Sequence, residues 1–159
     1  MTLEIILQTL AASETDFIVV GGIAAIFHGA LETTLVVDVV HERSQPNRQK
    51  ILSALQELDA VYREHLPKLI RPTLEHLASP GHMLLATREG PLDLLGTVSG
   101  GLSFEDLRQD ARRFNVGEDL EVSVVSLDQL IAIKEATGRT KDERHLEQLR
   151  AARRLRDES

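Results

Sequence analysis

The sequence predicts an α/β (α+β) domain built on a small mixed β-sheet flanked by helices, with a helical pair at its C-terminal end. Three observations predict it. Short β-branched runs alternate with segments of helical period, one pair of apolar runs brackets a Gly-Pro turn signal, and the last third carries two capping signatures in succession.

Residues 1–12, MTLEIILQTLAA, have the period of an amphipathic first helix. After the loop Ser13–Asp16, FIVV (17–20) is a short strand ended by Gly21-Gly22, and IAAIFHGA is a helix that Gly29 is placed to stop. LVVDVV (35–40) predicts the second strand. Ser44 and Pro46 open a helix whose Ile51, Leu55 and Leu58 share a face. MLLAT (83–87) and LDLL (92–95) flank REGP, which predicts an antiparallel hairpin with a four-residue loop. The remainder reads as helical except EVSVV (121–125), where Val122 and Val124 alternate with polar neighbours. Ser126 with Gln129, and Thr140 with Glu143, form capping boxes for the last two helices, and Gly138 stands where the first of these should end. In the last helix Leu146, Leu149, Ala152 and Leu155 are expected inward and Arg150, Arg153 and Arg154 outward.

At 159 residues and 42% hydrophobic, the chain suits one domain over 1–159 with a single core. Aromatics are only 3%, so Leu, Ile, Val and Ala must fill that core and no stacking platform for single-stranded nucleic acid can be assembled. A net charge of -7 also argues against non-specific nucleic-acid binding. The chain has no cysteine, which excludes disulfides and thiolate metal sites and suits a reducing compartment. No run of 18 apolar residues and no basic leader occur, so a cytoplasmic location without membrane contact is expected.

The chemistry concentrates in three places. Two glycines between a strand and a helix let a backbone approach a ligand, although the spacing is neither a dinucleotide fingerprint nor a P-loop. Asp38 stands among valines in a strand, and Asp93 has the same setting in PLDLLG. A carboxylate in an apolar strand needs a donor, a cation or a metal, so the two acids are expected to converge and hold a divalent cation such as Mg²⁺. Lys134 falls seven residues after Leu127 on the same stripe as Leu130 and Ile131, which turns its stem toward the core. It either snorkels to water or reaches the carboxylate site.

In order, Gly21-Gly22, His28-Gly29, Thr34-x-x-x-Asp38, Asn47, PLDLLG and SLDQLIAIKEATGRTKDERHLEQL resemble the nucleotidyltransferase superfamily, most nearly the small bacterial proteins related to AbiE-type toxin subunits. The resemblance spans roughly residues 17–150 and implies a nucleotidyltransferase fold. It implies that Gly21, Gly22, Thr34, Lys141 and Asp142 contact an NTP, that Asp38 and Asp93 bind metal, and that Asp38, Asp93 and Lys134 serve catalysis. The partners it implies are a nucleotide, an RNA or protein acceptor and a cognate antitoxin. One departure falls inside the motif: the first of the family's Asp-x-Asp pair is Val36 here, and an upstream basic position is Glu32, too distant along an extended chain to replace it. Two functions stay open at this point. One is Mg²⁺-dependent transfer of a nucleotidyl group from NTP to an acceptor with a degenerate metal site; the other is a noncatalytic nucleotide- or partner-binding module on the same scaffold.

Other residues carry less. The six histidines form no H-E-x-x-H pair, His28 reads as a helix-end residue, and no G-x-S-x-G elbow occurs. The arginines of the last helix read as a solvated face, with an RNA acceptor or an acidic partner as the alternative.

Overall fold

The structure, a computed structural model, describes residues 2–31, 33–117, 119–137 and 143–158. Seven strands form one mixed sheet in the order β3-β4-β5-β2-β1-β7-β6. They are β1 (Phe17–Val20), β2 (Val37–His41), β3 (Val61–Tyr62), β4 (His82–Thr87), β5 (Gly90–Leu95), β6 (Arg112–Asn115) and β7 (Glu121–Val124). The helices are α1 (Thr2–Ala12), α2 (Gly21–Phe27), α3 (Gln45–Glu57), α4 (Leu74–Ala78), α5 (Phe104–Arg108), α6 (Leu127–Thr137) and α7 (Glu143–Asp157), with a 3₁₀ turn at Arg63–His65.

The apolar pattern explains the placement of the central strands. All four residues of β1 are buried, because it lies between antiparallel β2 and parallel β7. β2 in turn pairs in parallel with β5. Both faces of this centre are covered, which is why the strands read as continuous Val, Ile and Leu instead of alternating with polar residues. α1 seals the core with Leu3, Ile6, Leu7 and Leu10, each at most 6% exposed. Burying one such side chain contributes about 1.5–3 kcal/mol.

Asn47, on α3, ties the ends of β1 and β2. Its Nδ2 donates to the carbonyls of Asp16 (3.0 Å) and Glu42 (2.7 Å), and its Oδ1 accepts from the Asp16 N–H at 2.7 Å. Both of its N–H groups and its carbonyl oxygen are bonded to the backbone, so burial of this amide is compensated. Ser126 caps α6, with Oγ accepting from the Gln129 N–H at 3.1 Å. Thr140 and Gly138, expected at the α6–α7 junction, lie outside the described residues.

Several expectations are corrected. The β4–β5 turn has two residues, Arg88 and Glu89, because Gly90 and Pro91 already pair with Thr87 and Ala86. Gly90, at φ +130°, takes a backbone conformation that glycine adopts readily, and so opens β5 directly after the two-residue turn. β2 begins at Val37, and Leu35 is 75% exposed. The stretch read as wholly helical contains β6, an edge strand whose RRFN carries no apolar alternation and which pairs with β7. Leu155 is 68% exposed, since α7 has passed beyond the core by its last turn. Arg150 bonds Glu135 of α6 at 2.9 Å, and Arg153 and Arg156 meet Asp128 at 3.7 and 3.4 Å, so much of the arginine face joins the helical pair. Among the described residues no helix is long and apolar enough to cross a membrane.

Candidate functional site

The parallel pairing of β2 with β5 sets Asp38 directly beside Asp93. Residues in register on neighbouring strands point to the same face, so both carboxyls are aimed at one spot. The antiparallel pairing of β1 places Val20 on the other side of Asp38, and the chain turns into α2 at Gly21, where φ is +67°. A Cβ at position 21 would collide with Asp38 Oδ2 and stand 3.1 Å from its Cγ. The first glycine therefore has two local reasons to be glycine: a left-handed backbone and the space that Asp38 occupies.

These residues floor a cleft of about 370 Å³, a size within the range of small-molecule sites. Leu95, Val98, Leu130 and Ile133 supply its apolar walls, and His82, Ser99 and Lys134 its polar rim. Asp38 is pushed up to about 7, first because burial penalises its charge, then through the charge of Asp93 and a hydrogen bond shared with it. Arg63 and Lys134 oppose that rise through their positive charges. Lys134 is half-buried on α6. It lines the same cleft as the two acids and its charge acts on Asp38, but it makes no ion pair with either carboxylate.

The direct cation on the acids is Arg63, which the sequence did not single out. Its Nη2 lies 2.8 Å from Asp93 Oδ1, and its Nη1 donates to the Leu85 carbonyl at 2.8 Å. Asp93 Oδ1 is buried without a well-aligned hydrogen bond, so the short contact is one of charge and not a two-pronged fork. VYREH gives no sign of this role, because the partner is reached only through the order of β3, β4 and β5.

The remaining site residues divide. Gly22 is the second residue of α2 and is not a wall of the cleft. Thr34 also stands apart from it, its hydroxyl accepting from the Val36 N–H at 3.3 Å and donating to the Val36 carbonyl at 3.2 Å. Lys141, Asp142 and Glu32 lie outside the described residues. His28 closes α2 as expected and meets the Val125 carbonyl through Nε2 at 2.7 Å.

The donor set bears on the metal that the resemblance implies. Asp38 and Asp93 supply oxygen ligands of the kind hard cations take, and among the described residues no third His, Asp or Glu joins them. Two carboxylates fit one such ion; with valine at position 36, the three-acid set for two ions is incomplete. No protein-family model and no curated protein matches this chain.

Proposed function

We propose that this chain is a nucleotidyltransferase-type scaffold whose cleft binds a nucleoside triphosphate with one divalent cation, as a binding module and not as a two-ion transferase. The observation that carries the reading is the in-register pair Asp38 and Asp93 on the floor of the cleft, with Lys134 on its wall. Asp38 and Asp93 are the two acids that would hold the ion. Lys134 faces the phosphates, and Gly21 leaves the backbone open beside them. When bound, the ion supplies neutralisation of the phosphate charge. Val36 argues against transfer, since a valine side chain cannot coordinate the second ion that activates an attacking group.

Calorimetric titration of the purified chain with each NTP, in Mg²⁺ and then in EDTA, tests this. Magnesium-dependent binding that is lost in Asp93→Asn is expected. Absence of binding to every NTP under both conditions would remove the reading, and release of pyrophosphate with an RNA or protein acceptor would replace it with the transferase.

A further inference from the structure

We propose that Arg63 is a positioning residue that sets the ion selectivity of the carboxylate pair, restricting Asp93 to a single coordinating oxygen and so favouring Mg²⁺ over Ca²⁺. This rests on the nucleotide-and-ion reading above.

The geometry is specific. Arg63 Nη2 covers Asp93 Oδ1 at 2.8 Å, and that oxygen is buried. With Oδ1 buried under the guanidinium while Asp93 still lines the cleft, an ion entering from the cleft side would meet this carboxylate through its other oxygen. The guanidinium is itself anchored, because Nη1 donates to the Leu85 carbonyl on β4, the strand adjacent to β5. Arg63 also starts from the 3₁₀ turn that follows β3, so its arm reaches Asp93 across β4 from the edge of the sheet. It is not among the cleft's walls, which separates its action from direct contact with a ligand.

Coordination chemistry turns this into selectivity. Mg²⁺ takes six oxygens in a tight octahedron, usually one from each carboxylate, and keeps several waters. Ca²⁺ is larger, accepts up to eight and gains from bidentate carboxylates. Withholding Oδ1 costs Mg²⁺ little and denies Ca²⁺ its bidentate ligand. Outer partners of this kind orient the ligands that touch the metal and influence affinity by about 10- to 100-fold.

The experiment titrates the folded chain with Mg²⁺ alone and with Ca²⁺ alone by calorimetry, in wild type, Arg63→Met and Arg63→Lys. Wild type is expected to prefer Mg²⁺. In Arg63→Met the ratio of the two affinities should move toward Ca²⁺ by about tenfold, while Arg63→Lys, which still places a cation on Oδ1, should keep the wild-type preference. An unchanged ratio in Arg63→Met, with both ions weakened equally, would show Arg63 to be merely structural and would overturn the inference while leaving the ion site standing. Failure of wild type to bind either ion, with or without NTP, would overturn the ion site and the inference together. Should Arg63→Met fail to fold by circular dichroism, Arg63→Gln takes its place: its amide ends where the arginine Nε stands and falls short of Oδ1, so the ratio should move toward Ca²⁺ by about tenfold, and an unchanged ratio would overturn the inference.

Discussion

Gly21 presents its bare Cα to the carboxylate of Asp38, and no side chain fits between them. The contact joins the end of β1 to the start of β2 and fixes where the acid can point. Gly21→Ala should therefore destabilise the fold by about 3 kcal/mol, combining left-handed backbone strain with overpacking. In an Asp38→Ala background the same change should cost only about 1 kcal/mol, the backbone share. Urea denaturation of the two single variants and the double variant measures the coupling; additive effects would mean the collision is relieved elsewhere.

Asp38 gives stability a pH dependence of a definite sign. Its folded value is raised to about 7, chiefly by burial and then by Asp93, whereas the unfolded chain titrates near 3.8. Between those values the folded state binds more protons, so stability is greatest at the acid end and falls as pH rises toward and through 7. Asp38→Asn should abolish this decline and be more stable than wild type at pH 8 by on the order of 2 kcal/mol. Thermal melts from pH 4.5 to 8 would show it, and parallel curves for both proteins would contradict it.

His41 works in the opposite direction. It is 1% exposed, its Nε2 meets the Leu77 carbonyl at 2.7 Å, and its buried Nδ1 has no hydrogen-bond partner. Burial lowers its pKa most; the Leu77 carbonyl and Glu42 counteract this, while Arg43 and Arg48 add to it. The unfolded chain takes up a proton near 6.5 and the folded one only at lower pH, so this contribution to stability is lost as pH falls below about 6.5. Nitrogen chemical shifts followed over pH should give His41 a titration midpoint below the 6.5 of the unfolded chain; a midpoint at or above that value would refute the assignment.

Much of this site was legible in the sequence because strand chemistry is local. An acid among valines stands out at Asp38 and again at Asp93, and Lys134 stands out on an apolar stripe. Their convergence depends on strand order, which is why Arg63 was missed: it follows the two-residue edge strand β3, and nothing near it in sequence names Asp93 as its partner. β6 was missed for a related reason, since an edge strand stays polar and its RRFN lacks the period-two signal. The β4–β5 turn was overestimated because Gly90 and Pro91 look like loop residues, yet the strand accepts both at its start.

Val36 is the position at which the resemblance and the chain disagree, and restoring an acid there makes a direct test. Val36→Asp should strengthen Mn²⁺ binding about tenfold, because in an extended chain position 36 shares a face with Asp38. Its backbone is already fixed by the Thr34 hydroxyl. Calorimetry with Mn²⁺ alone reads the effect, and unchanged affinity would mean that the segment before β2 turns away from the acids.

The two acids meet through a parallel pairing, and α3, β3, α4 and β4 are all spelled out in the chain between them. Nothing made early in synthesis can therefore possess the site: a growing chain carries a lone buried acid on β2, with neither its twin nor an ion to share, until β5 has emerged and closed against it. Any ligand that needs both carboxylates consequently recognises only chains in which β5 has emerged and paired with β2, and its binding reports that pairing as well as occupancy of the cleft.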